Sequence, residues 1–249
     1  MPDPILLRHL DGPVARLTLN DPDRANVLSE AMMAALSQAL ADLADDPTVR
    51  VIVLGAAGKV FCAGHDLGEL QAANDSGAAL FARCSALMQQ VVACPKPVIA
   101  KVKGAAVAAG CQLVASCDLA YSVETARFAV SGINLGLFCS TPGVALARAV
   151  GRKDALEMLL TGRFVGAAEA AAMGLINRAV PAADLDSLVE EIAQSIAAKA
   201  PDAIALGKST FQRQSELPLA DAYAVASAAM AENLGFESAG AGIANFLKR

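Results

Sequence analysis

Two stretches of the chain carry residue types and spacing suited to stabilising negative charge with backbone. The first is "GAAGKVFCAGHDLGEL", from Gly55 to Leu70. The second is "GAAVAAGCQLVASCD", from Gly104 to Asp118. In each, an apolar strand-like run ("VIVLG", then "VIAKV") enters a small-residue loop and then a helix start. The first N–H groups of a helix have no partner inside it and can face an anion. Small residues let a ligand approach them closely. If both clusters face one point, they form a two-donor oxyanion hole, which supplies roughly 3–4 kcal/mol per donor in the best-studied case. Tight turns in an Ala-rich chain would give the same pattern, and spacing alone leaves both readings open.

The side chains near these corners are few. Gln112 is strongly polar in an otherwise greasy stretch. An amide can position a water but neither takes nor gives its proton near neutral pH. A buried amide satisfying nearby backbone is the equal alternative. His65 has a pKa suited to proton transfer. Cys139 could be a nucleophile, but no histidine is near it in sequence to activate it, so a buried thiol is the simpler reading. Cys62 and His65 resemble half a metal site. The one other histidine, His9, lies on a predicted strand, so no metal is expected.

Elements must position these groups. "ILLRHLDGPVARLTLN" reads as a hairpin around Asp11-Gly12-Pro13. Ser29 predicts the cap of a helix running to about Leu43, and a second long helix spans about Gly77 to Ala93, stopped by Pro95 and Pro97. "VRVIVLGAAG", "PVIAKVKG", "DLAYSVE" and "ARFAV" read as strands. From about Pro142 the chain is mostly helical, with one β-like insert, "LINRAVP". Alternating strands and helices over the first two thirds give an α/β class. After Asp184, Leu185, Leu188, Val189, Ile192 and Ile196 make a wide apolar face that points to an oligomer or to packing on the chain's own core.

Composition narrows the function. The 249 residues are 55% hydrophobic, enough for one large core. The net charge is −5 with no useful basic run, which excludes nucleic acid as main partner. Charged or strongly polar residues interrupt every apolar segment, so no membrane span is expected. The N-terminus does not read as a secretory signal. Six cysteines, none in a C-x-x-C pair, predict free buried thiols in a reducing compartment, placed here as the cytoplasm.

"GAAGKVFCAGHDLGEL", "KPVIAKVKGAAVAAGCQLVASCDLAYS" and "GRFVGAAEAAAMGLINRAV" together resemble the enoyl-CoA hydratase/isomerase, or crotonase, family. The resemblance covers nearly the whole chain. Within the family, "GLFCSTPGVALARAVGRKDALEMLLTG" is most similar to the subgroup of enoyl-CoA hydratase domain-containing proteins. The resemblance implies a spiral of ββα turns over residues 1–183. It implies a C-terminal helical region, 184–249, that builds a homotrimer or a dimer of trimers. It implies an acyl-CoA thioester substrate, with CoA part of the substrate and no separate cofactor. By position, the carbonyl would sit between the N–H groups of His65 and Ala109. Arg24, Ala25, Ala63, Asp66 and Leu67 would form the CoA-contacting edge, with Phe246 and a terminal basic residue, Lys248 or Arg249, added by the tail. Asp66 would mainly shape its loop.

The same resemblance exposes two departures. Hydratases of the family hold water between two glutamates. Here those positions are Gln112 and Gly132, so both proton-transfer groups are missing while the carbonyl-binding half remains. Three readings follow: an acyl-CoA enzyme with changed chemistry (thioester hydrolysis, decarboxylation, isomerisation or weak hydration), a hydratase with a relocated acid/base pair, or a binding protein without turnover. Ala109 also stands where the family often has glycine. An ordinary helical φ is expected there, because a positive φ would cost alanine about 1 kcal/mol or more.

Overall fold

The structure is a computed structural model that describes residues 3–73 and 77–248. The chain opens with β1 (Leu6–Asp11) and β2 (Val14–Leu19), an antiparallel hairpin turned at Gly12, whose φ is +55°. The helix α1 (Glu30–Asp45) follows, and Ser29 Oγ accepts the Met32 N–H as its cap. Then come β3 (Val51–Ala56), β4 (Val60–Cys62), the short α2 (Leu67–Ala72) and the long α3 (Ala78–Ala93). The next pass has β5 (Val98–Val102), β6 (Ala105–Val107) and α4 (Ala109–Ser116). A third has β7 (Leu119–Val123), β8 (Arg127–Ala129) and α5 (Ser140–Ala149).

Each pass sends its first strand to one sheet and its second to another. Among the described residues the larger sheet has the order β1-β2-β3-β5-β7 with a sixth strand, β10 (Arg178–Val180), at its edge. The smaller has the order β4-β6-β8, closed by β9 (Val165–Gly166). The pairs β3–β5, β5–β7, β4–β6 and β6–β8 are parallel. The C-terminal ends of neighbouring strands therefore lie on one side, where an open α/β layout places its ligands. This repeated strand–strand–helix path is the expected spiral. The helix α4 is buried nearly all round, which explains its Ala, Gly, Cys and Leu content.

Between β9 and β10 lies α7 (Ala167–Ala172), and before β9 lies α6 (Arg152–Thr161). Four helices complete the chain: α8 (Leu185–Ala197), α9 (Pro201–Gln214), α10 (Leu219–Leu234) and α11 (Glu237–Leu247). Leu185, Val189 and Ala193 of α8 are buried, and the helix packs on β2, β3, β5 and β7. The apolar face after Asp184 is thus spent within the chain, and packing groups α8 with residues 1–183. Of these four helices, α9–α11 expose large apolar side chains, including Phe211, Leu219, Tyr223, Met230 and Leu234. Lys208 of α9 reaches back to the core: its ammonium donates to Asp118 at 2.6 Å and to the carbonyls of Val91 and Lys96 at 3.3 Å. No helix among the described residues is long and apolar enough to cross a membrane.

Candidate active site

The β4 corner is Ala63-Gly64-His65-Asp66. Its shape depends on a buried side chain, Asn26, that the sequence did not flag. Asn26, fully buried, donates from Nδ2 to the Ala57 and Val60 carbonyls at 2.8 and 2.7 Å, and its Oδ1 accepts the Asp21 N–H. That amide staples the Asp21–Asn26 turn to the β3–β4 connection. Ala25, at φ 53° and ψ 34°, presents its carbonyl to the Ala63 N–H at 3.0 Å. Leu28 N–H donates to the Gly64 carbonyl at 2.7 Å. Asparagine tolerates a left-handed backbone, here φ 53°, and that is the one sequence signal that could have marked Asn26.

The β6 corner is Val107-Ala108-Ala109-Gly110. Here α4 crosses β4 very closely: a Cβ on Gly110 would lie 2.2 Å from the Cys62 carbonyl oxygen. Ala109 begins the helix with an ordinary negative φ, and the positive φ of this corner falls one residue earlier, at Ala108. The two corners meet. A Cβ placed on Gly64 would stand 3.4 Å from the Ala109 nitrogen and 3.0 Å from the Ala108 Cβ. Among the described residues, neither the His65 nor the Ala109 N–H has a hydrogen-bond acceptor. Both residues line one cavity of about 760 Å³, a size suited to a small organic ligand.

Of the expected site residues, Arg24, Ala63, His65, Asp66, Leu67, Ala109 and Gly132 line this cavity. Ala25 lies behind it, as a support for Ala63. Asp66 is already engaged: its carboxylate accepts from the Gly68 and Glu69 N–H groups, capping α2, and pairs with the Arg24 guanidinium. The loop-shaping role expected for it is therefore present. Phe246 is 74% exposed on α11 and does not line the cavity. Lys248 follows the end of α11, and Arg249 lies outside the described residues.

The two family glutamate positions are closed in different ways. Gln112 is 4% exposed, and its Oε1 faces the Cys84 thiol at 4.0 Å. It is not part of the cavity wall. Gly132 is on the wall, but a Cβ there would lie 2.5 Å from the Leu137 carbonyl and 2.7 Å from Cys139 Sγ. Its φ is not positive, so space rather than backbone angle demands glycine.

The remaining reactive groups are poorly placed for proton transfer. The His65 ring meets Phe81 edge-on, with centroids 5.5 Å apart. Its Nε2 is sealed from solvent and has no partner among the described residues, and burial holds the ring's pKa below 6.5. The Cys139 thiol accepts the Gly132 N–H at 3.3 Å, and burial raises its pKa. Burial likewise pushes Cys62 and Cys111 up to about 12. Among the described residues, no cluster of His, Cys, Asp or Glu is placed to hold a metal ion.

Comparison with known proteins decides the family. The enoyl-CoA hydratase/isomerase profile matches residues 10–249. The chain belongs to the enoyl-CoA hydratase/isomerase family. It is 45% identical to the human enoyl-CoA hydratase domain-containing protein 3, mitochondrial, covering 100% of this chain and 82% of that protein. A solved enoyl-CoA hydratase from Mycobacterium smegmatis superposes with a TM-score of 0.97 at 53% identity, covering 99% of this chain and 97% of that one. The solved human domain-containing protein 3 gives 0.95 at 43%, covering 98% and 97%. The subgroup resemblance and the crotonase fold both hold. The cytoplasmic placement does not: five relatives, from Xenopus laevis, human, rat, mouse and zebrafish, are named mitochondrial. Buried thiols do not separate one reducing compartment from another.

Proposed function

We propose that this family member binds an acyl-CoA thioester with its carbonyl between the His65 and Ala109 N–H groups, and acts on it by chemistry other than rapid hydration. One observation carries the reading. Among the described residues lining the cavity, Asp66 is the sole carboxylate, and it is tied to Arg24 and the α2 cap. The charge-stabilising half of a crotonase site is built, while the paired acids are absent at Gln112 and Gly132. Hydration needs a proton taken from water and one given to carbon. An oxyanion hole alone polarises the thioester.

The cavity wall from Ser131 to Pro142 holds no charged residue, and its largest side chains are leucines and Phe138. An uncharged acyl group suits it better than one ending in a carboxylate, whose burial would need a partner. That favours isomerisation or thioester hydrolysis over decarboxylation. Arg24, Ala63, Asp66 and Leu67 would hold the CoA side, backed by Ala25. Phe246 and a terminal basic residue would reach CoA from a neighbouring subunit, since Phe246 does not face this chain's cavity. The exposed apolar residues of α9–α11 support a homotrimer or a dimer of trimers. CoA enters as substrate, with no separate cofactor.

The test is mass spectrometry of an acyl-CoA panel after incubation with the protein. Release of free CoA, gain of water, loss of CO₂ and no change have distinct masses; an isomer is separated by its retention time. Rapid gain of water would overturn the proposal. Binding with no product at all would move the chain to the non-catalytic reading.

A further inference from the structure

Ala108 stands immediately before the Ala109 donor, at φ 49° and ψ −117°. Its ψ sets it apart from Ala25, which occupies the left-handed helical region. Conformations like that of Ala108 are readily populated by glycine and strained for a residue with a Cβ. Such strain persists where surrounding contacts over-determine it. Here three do so. The Ala108 N–H donates to the Ala129 carbonyl at 2.8 Å, and its carbonyl accepts the Gln112 N–H at 3.0 Å. Its methyl fills the space over Gly64, where a built Cβ would come within 3.0 Å of it. Gly64 itself sits at φ +100°. The methyl of one corner thus rests against the bare backbone of the other.

We propose that Ala108 is a positioning residue: its methyl braces the β4 corner against the β6 corner, fixing the spacing and aim of the His65 and Ala109 N–H donors. The inference rests on the oxyanion-hole reading above. Glycine would accept the same backbone angles without strain, but in a broader well and with no methyl between the corners. Serine would keep the Cβ and with it the brace.

The probe is acetoacetyl-CoA. Losing its acidic C–H proton to solvent puts negative charge on the thioester and ketone oxygens, and the enolate is read by its near-ultraviolet absorbance. A working hole lowers the apparent pKa of the bound probe. In Ala108→Gly, about one unit of that lowering should be lost, a tenfold effect and a fraction of the 10²–10³ that deleting a whole donor costs. Its melting temperature should not fall, because strain is relieved. Ala108→Ser should keep the wild-type value. A purely structural residue would move the melting temperature and leave the enolate pKa alone. Gly64→Ala, which crowds the same methyl from the opposite corner, should show a similar loss and serves if Ala108→Gly does not fold. Wild-type lowering unchanged in the folded variants would overturn the brace but leave the hole. Wild-type protein that binds the probe without lowering its pKa would overturn the hole, and the brace with it.

Discussion

Gln112 lies in the second corner stretch and Gly132 just after β8, yet the paired corners and these acid/base positions are built to opposite standards. At the corners the glycines have a steric reason. Gly110 lets α4 pass the Cys62 carbonyl, and Gly64 makes room for Ala108 and the Ala109 N–H. Buried Asn26 fixes the loop behind them. At the acid/base positions one side chain keeps a glutamate's bulk but leaves the cavity wall, and the other has no room at all. Gln112 turns its Oε1 toward Cys84, and Gly132 is hemmed in by Leu137 and Cys139. A family glutamate at 132 is not merely replaced; the loop has closed over the volume it would need. The difference supports the proposal that the site stabilises charge on a thioester without rapid hydration.

The largest effect should come from breaking the corner contact itself. Gly110→Ala would push a methyl into the Cys62 carbonyl, forcing α4 off β4. Overpacking of this kind costs typically 1–3 kcal/mol, and a backbone clash belongs at the top of that range or above. Urea denaturation followed by circular dichroism would measure it. Next in size, Ala109→Pro removes a donor that no acceptor among the described residues uses, at the first position of α4. Turnover or thioester binding should fall on the order of 10²–10³-fold. A folded variant with unchanged binding and rate would sever the corner from function.

The opposite region sharpens the comparison by refusing repair. Gln112→Glu should give little hydration, because the new carboxylate is buried off the cavity wall and would be pushed toward its neutral form. Gly132→Glu, alone or with Gln112→Glu, should displace the Ser131–Cys139 loop instead of adding an acid, visible as a lowered melting temperature. Strong hydration by the double variant, read as loss of enoyl-thioester absorbance, would show that the loop reopens.

The smallest effect is on pH dependence. Burial depresses the His65 pKa in the fold below its ordinary 6.5, so the unfolded chain binds more protons between those two values. The His65 contribution to stability is therefore fully present above about pH 6.5 and is lost as pH falls toward the folded-state pKa. His65→Phe should flatten that part of the curve, measured by denaturant titration across the acid range.

Much of the frame was legible in the residues. The Asp11-Gly12-Pro13 hairpin, the Ser29 cap, α3 ahead of Pro95 and both corner patterns follow from local rules of turns, caps and strand runs. What local rules could not show depends on which distant atoms arrive. Gly132 looked like a missing acid, and its crowding by Leu137 and Cys139 is a loop-closure effect. Ala109 keeps the ordinary φ expected of it, and the strain at Ala108 went unseen because the Ala129 carbonyl and Gly64 hold it there. The face of α8 suited a neighbour or the chain's own core equally, and the six-stranded sheet covers it. Two-residue β9 carries too little pattern to be read.

The most direct measurement is crotonyl-CoA hydration by the wild-type protein, alongside a family hydratase that carries both glutamates. General acid and base groups each contribute roughly 10²–10⁴-fold. The retained hole without its acids predicts a rate lower by at least on the order of 10²–10⁴, in protein that still binds the thioester. A rate equal to that of the glutamate-bearing hydratase would contradict the account and require a proton carrier outside Gln112 and Gly132.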